Sequence, residues 1–152
     1  MAGSQSQVSL GYIYVSCNDV AAMRRFYVEL VGLNEQSFSD EGEYRWLVCH
    51  SRGFELMFFA TTKPTPVIAG WHAQPGWEGG EVEGVSWSIE VPSEDYAATV
   101  EKLKAASVPC YFALPRWLQD SYWGFPVKDP MGNTVEIFNL PRERPATTEW
   151  PG

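Results

Sequence analysis

Asp129-Pro130-Met131-Gly132-Asn133-Thr134-Val135-Glu136 is the stretch on which the reading of the fold turns. Proline presets the backbone for a turn, glycine accepts left-handed torsions, and the Asp and Asn side chains bond to nearby backbone. The turn separates two strand-like runs, Tyr122–Lys128 and Thr134–Leu140. The second of these carries an apolar–Glu–apolar triplet, Val135-Glu136-Ile137. The first half finishes on the same kind of triplet, Phe54-Glu55-Leu56, at the start of another strand-like run, Phe54–Ala60. A glutamate between apolar neighbours on two closing strands predicts a duplicated module.

Working outward, each half repeats one order of elements. Val8–Ser16 reads as a strand, and Asn18 and Asp19 offer cap oxygens for a helix over Val20–Val31. Val20, Met23, Phe26, Tyr27 and Leu30 recur at helical spacing, and Gly32 supplies the C-cap. Strands are expected at Glu35–Ser39, Tyr44–Cys49 and Phe54–Ala60, split by turn signals at 40–42 and 51–53. The second half restarts with Val85–Val91, then a helix from the cap Ser93 through Ala106 with Tyr96, Val100 and Leu103 inward. Strands are expected near Pro109–Leu114, at Tyr122–Lys128 and at Thr134–Leu140. Tyr12 precedes the cap Asp19 by the same seven residues that separate Ser86 from Ser93. The expected plan is one α+β domain: module 1 over 8–60, a connection over 61–83, module 2 over 84–140 and a partly ordered tail over 141–152. Its two βαβββ modules would form a curved mixed sheet around a cavity. The Pro- and Gly-rich connection is long for a structureless loop, and its Trp71 and Trp77 would either close over a pocket or pack on the other half.

A strand has period two, so Glu55 and Glu136 point away from their apolar neighbours. With the apolar residues toward the helices, Tyr12, Tyr14, Ser86, Ser88 and Glu90 share the glutamates' side. Carboxylates and hydroxyls among aromatic rings are not ordinary core; a half-polar concave face is what a small-molecule site needs.

Composition narrows the classes. The 152 residues are enough for one well-buried core, with 45% hydrophobic and 20% charged residues. A net charge of −8 without a basic stripe argues against nucleic-acid binding. No apolar run approaches a membrane span, and Met1–Gln7 lacks a signal-peptide core. Cys17, Cys49 and Cys110 form no zinc pattern and read as reduced thiols of a cytoplasmic protein. No phosphate loop or nucleophile elbow is present.

The duplicated β-α-β-β-β order, the Asp129–Glu136 element and the Arg25-Phe26-Tyr27 run closing on Gly32-Leu33 resemble the vicinal oxygen chelate (glyoxalase, bleomycin-resistance, dioxygenase) superfamily, over Leu10 to Leu140. The fold hosts isomerases, lyases, ring-cleaving dioxygenases and metal-free drug-binding proteins, so function rests on the site. The resemblance implies four ligand positions in metal-using members, here Tyr12, Glu55, Ser86 and Glu136. Both positions usually held by histidine lack it, and the two histidines, His50 and His72, match neither. That donor set predicts no transition metal and no cofactor, with an oxygen-only Mg²⁺ or Mn²⁺ site on Glu55 and Glu136 as the alternative.

Three functions follow. The first is a metal-free binding or sequestration protein for aromatic, cation-favouring ligands. Its ligand-binding residues would be Tyr12, Tyr14, Trp46, Met57, Phe59, Ser86, Ser88, Glu90, Trp117, Trp123 and Phe138. The second is an isomerase or cyclase in which Glu55 or Glu136 moves protons. The third is a metal-dependent lyase or dioxygenase with shifted ligands. A homodimer is expected by analogy of fold.

Overall fold

Two four-stranded sheets repeat one strand order in the computed structural model, which describes residues 8–76 and 79–152. The first is built from β1 (Tyr12–Cys17), β2 (Asn34–Ser39), β3 (Trp46–Ser51) and β4 (Phe54–Ala60), in the order β1-β4-β3-β2. The second is built from β5 (Trp87–Glu90), β6 (Arg116–Leu118), β7 (Tyr122–Lys128) and β8 (Thr134–Asn139), in the order β5-β8-β7-β6. In each sheet the first and last strands run parallel and the other pairs antiparallel. The fold is α+β with two βαβββ modules. The chain divides into two compact units, with the boundary between Thr65 and Pro66.

In the first unit, Asp19 caps the helix through its Oδ1, which accepts from the Ala22 N–H at 3.0 Å. Helix α1 (Val20–Arg24) continues as a π-helical segment over Arg25–Val31. The wider π turns advance the buried stripe by a residue, so Val31 rather than the expected Leu30 ends it. They also seat the adjacent Phe26 and Tyr27 in the core, where Tyr27 stacks on Phe58 with ring centroids 4.4 Å apart. Gly32, with φ 97°, ends the helix in the left-handed conformation that glycine adopts without strain. Leu47, Cys49, Phe58 and Cys17 complete the helix-facing side of the sheet. Burying a side chain of the Leu or Phe class contributes about 1.5–3 kcal/mol.

In the second unit, helix α2 (Ser93–Ala105) lays Tyr96, Val100 and Leu103 on the sheet. Its cap is Pro92; Ser93 is already helical, and its hydroxyl pairs with the Asn139 amide instead. The strand expected near Pro109–Leu114 is reduced to a single bridge, Cys110 with Val127. The strand lies further on, at Arg116–Leu118, joined to β7 through Gln119 and Asp120 with φ 51° and 50°. Two consecutive left-handed residues make a hairpin turn that Asn-Gly would have announced and Gln-Asp conceals. Asp129 organises the last turn: Oδ1 accepts the Met131 and Asn133 N–H groups at 2.9 and 3.0 Å, and Oδ2 accepts the Asn133 amide at 2.8 Å.

From Pro66 on, the connection belongs to the second unit. Lys128 Nζ donates to the Ile68 and Ala69 carbonyls, and the His72 N–H donates to Thr134 Oγ1 at 2.8 Å. Trp71 packs edge-on against Tyr111 and beneath the Lys128 ammonium; Trp77 lies outside the described residues. The tail is tied down through Trp150, whose ring sits 5.5 Å from Tyr96 and 5.0 Å from Trp123. Among the described residues, no helix is long and apolar enough to cross a membrane.

Candidate functional site

Register sorts the face of the first sheet that points away from its helix into three rows. Tyr12, Glu55 and His50 are direct partners across β1, β4 and β3. Tyr14, Met57, Val48 and Ser37 form the second row, and Ser16, Phe59, Trp46 and Ser39 the third. Tyr12, Tyr14, Trp46, Glu55, Met57 and Phe59, all expected in the site, therefore share one face. Tyr12 and Tyr14 are stacked, with centroids 5.6 Å apart and ring planes 7° from parallel. Both are open to solvent, at 46% and 65% exposure, and Phe59 is 37% exposed. Trp46 keeps its indole N–H satisfied on Ser37 Oγ at 2.9 Å.

The polar row holds two residues that the sequence reading left out of the site. His50 Nδ1 lies 2.8 Å from Glu55 Oε1. A carboxylate only accepts, so Nδ1 carries the proton. In the orientation that satisfies both groups, the Gln36 amide nitrogen donates to Glu55 Oε2 at 2.6 Å and to Oε1 at 2.9 Å. A shift of register between Glu35 and Ser37 marks an irregularity in β2 at Gln36.

The corresponding face of the second sheet is built differently. Glu136 is 7% exposed, and its direct partners are Ser88 on β5 and Pro126 on β7. Burial raises its carboxyl above the ordinary value of 4.5, and a hydrogen bond from the Tyr122 hydroxyl opposes that rise. The Tyr122 phenol is itself pushed up to about 12, first by burial and then by the neighbouring Glu136 charge. Glu136 Oε1 has no hydrogen-bond partner among the described residues. It lies over Gly124, where an added Cβ would fall 2.6 Å from Oε1 and 2.5 Å from Leu118 Cδ1. A side chain there would have to displace the carboxyl or the tip of Leu118. Phe138 meets Tyr122 edge-on at 5.9 Å, and Glu90 pairs with Phe138 at the exposed end.

Three expectations are corrected by register. Ser86 precedes β5, and Ser88 is the partner of Glu136, as Tyr12 is of Glu55. Trp123 pairs with Asn139 and Trp117, one residue out of phase with Glu136, which puts both tryptophans on the helix side. There Trp123 is buried against Trp150, and the Trp117 indole N–H donates to Asp120.

Among the described residues, no three of His, Cys, Asp and Glu come together as a metal site. In the first sheet the two strongest donors bond to each other, and in the second Glu136 stands beside a serine hydroxyl. Those residues do not fit a zinc, nickel or iron centre.

The Glyoxalase/Bleomycin resistance protein/Dioxygenase superfamily model matches residues 9–137. A glyoxalase/dioxygenase from Nostoc punctiforme superposes with a TM-score of 0.65 at 17% identity, covering 93% of this chain and 97% of its own. Oxidase ChaP-H2 gives 0.62 at 17% identity, covering 90% of this chain and 96% of its own. The fosfomycin resistance protein FosX from Listeria monocytogenes gives 0.61 at 13% identity, covering 92% and 97%. At such identities the likeness carries the fold alone. Comparison with curated proteins gave no significant match.

Proposed function

This chain belongs to the glyoxalase/bleomycin resistance protein/dioxygenase superfamily, and we propose that within it the chain is a metal-independent, cytoplasmic binding and sequestration protein for planar aromatic ligands. One observation carries the reading: two stacked, solvent-exposed tyrosines stand on a sheet face with Met57, Phe59 and Trp46 beside a carboxylate. Parallel rings already held by a strand offer stacking area without ordering flexible side chains, and Glu55 favours a cation. The ligand is a planar aromatic cation in preference to its neutral analogue. Titration with a planar cationic dye, followed by tryptophan quenching, tests this. Saturable quenching with tighter binding of the cation is expected; no binding of either form removes the reading.

A second reading has its own observation. Glu136 is a buried carboxyl with a raised pKa, a phenol donor and an unpartnered oxygen, the attributes of a group that transfers protons. Conversion of a bound aromatic ligand by wild type and not by Glu136→Gln would place a metal-free isomerase or cyclase above sequestration.

Two further expectations complete the proposal. Protein purified without chelators carries no stoichiometric transition metal, and elemental analysis near one zinc, nickel or iron per chain overturns that. The chain forms a homodimer in solution, and sedimentation as a monomer of 17.1 kDa at micromolar concentration overturns that.

A further inference from the structure

The polar row of the first sheet carries an inference that rests on the binding reading above. Glu55 Oε1 takes the Nδ1 proton of His50 at 2.8 Å, and Gln36 ties down both carboxylate oxygens at 2.6 and 2.9 Å. The Glu55 side chain is only 15% exposed, while that of His50 is 53% exposed. The carboxylate is thus a fixed support and the imidazole the group offered outward. With the proton held on Nδ1, the lone pair of the neutral ring lies on Nε2. No hydrogen bond to Nε2 occurs among the described residues. A surface His–Glu pair alone would be worth little. Here a third group adds two bonds to the same carboxylate, which holds it in place as the acceptor for Nδ1–H and so fixes the tautomer.

Position completes the argument. His50 is one row along β3 from Val48, and Val48 is the direct partner of Met57, itself the partner of Tyr14. Rows on one face lie about 7 Å apart and neighbouring strands about 4.8 Å. A fused two-ring ligand over Tyr14, Met57 and Val48 therefore brings one edge within reach of His50. We propose that His50 Nε2 is the acceptor for that edge, so that the face selects planar aromatics bearing a hydrogen-bond donor, a ring N–H or an aryl hydroxyl, over analogues without one.

N-methylindole replaces that donor of indole with a methyl group. Ligand-observed NMR titration of the full chain at mildly alkaline pH reads the ratio of their affinities. Wild type is expected to prefer indole about three- to tenfold, the span of one net hydrogen bond. His50→Phe keeps a ring and removes the acceptor, and should bring the ratio to about one. If wild type binds both rings measurably and equally, or if His50→Phe keeps the preference, the inference fails while the binding reading stands. If wild type binds the planar cationic dye but neither indole, the inference fails and the binding reading stands; if it binds none of the three, both fail.

Discussion

The two modules place a glutamate at the same point of the same strand plan and treat it in opposite ways. Glu55 stands at the edge of an open aromatic face, held by His50 and Gln36. Glu136 is sunk over a glycine beside Tyr122, and its Oε1 has no partner among the described residues. The backbone repeat is the same in both: a parallel first-to-last pair and two antiparallel pairs. What differs is the side chains flanking each glutamate: His50 and Gln36 bond to Glu55, while burial raises the Glu136 carboxyl above the ordinary 4.5. Duplication of a fold thus leaves two separately tunable carboxyl environments.

The largest effect expected from breaking this contrast is on stability. Gly124→Ala drives a methyl into Glu136 Oε1 and Leu118, whereas a Cβ at Gly11, just before β1, meets nothing within 4 Å. Denaturant unfolding should show a loss of about 1–3 kcal/mol for the first and a change within about 0.5 kcal/mol for the second. Equal effects would mean that the second carboxyl is not confined as described.

Next in size is the charge of the open face. Glu55→Gln should weaken a planar cation by about 1–2 kcal/mol, roughly tenfold, because the face loses the negative charge that stands beneath it. Dye titration of the variant measures it, and unchanged affinity would leave stacking as the whole explanation. Tyr14→Ala should cost about 0.5–1.5 kcal/mol of binding for lost stacking. Since the ring is 65% exposed, its removal should leave the unfolding midpoint almost unmoved.

The smallest effect is a change of slope with pH. Burial raises the folded Glu136 carboxyl above 4.5, so the folded protein keeps a proton that the unfolded chain has already released. The unfolded state then binds fewer protons, and stability falls as pH rises from about 4.5 through the folded pKa. Glu136→Gln removes this contribution and should flatten the curve, leaving the variant the more stable at neutral pH. The Tyr122 hydrogen bond, which favours the ionised form, limits the size of the effect. A variant with the same fall as wild type would assign that slope to other groups.

Much of this contrast was legible in the sequence, and the unread part has a common cause. The module order, the Asp19 cap, the Gly32 stop and the Asp129 turn are written in local residue chemistry. So is the shared face of Tyr12, Tyr14, Glu55, Met57 and Phe59, which needs only parity along single strands. His50 escaped because its place depends on pairing across a hairpin. Yet the signal was present: Arg52-Gly53 makes a two-residue turn, with Gly53 at φ 83°, that pairs Ser51 with Phe54 and so His50 with Glu55. Local spacing aligns Ser86, not Ser88, with Tyr12, because the register of a parallel pair is set by contacts nearly fifty residues apart. Residue type alone suggests Trp117 and Trp123 as stackers; the register that faces Glu136 toward Pro126 and Ser88 puts both tryptophans on the opposite side.

The Asp129 turn also has a kinetic consequence. Its three side-chain hydrogen bonds all lie within five residues and hold β7 and β8 in register before anything distant is in place. Hairpins of this kind zip in about 1–10 μs, while β5 must close a loop of more than forty residues to reach β8. We predict that pulse-labelled hydrogen exchange during refolding finds β7–β8 amides protected ahead of those of β5. The second module would then grow from its C-terminal turn backwards, and the strand bearing Ser88 and Glu90 would dock last on a template that already carries Glu136.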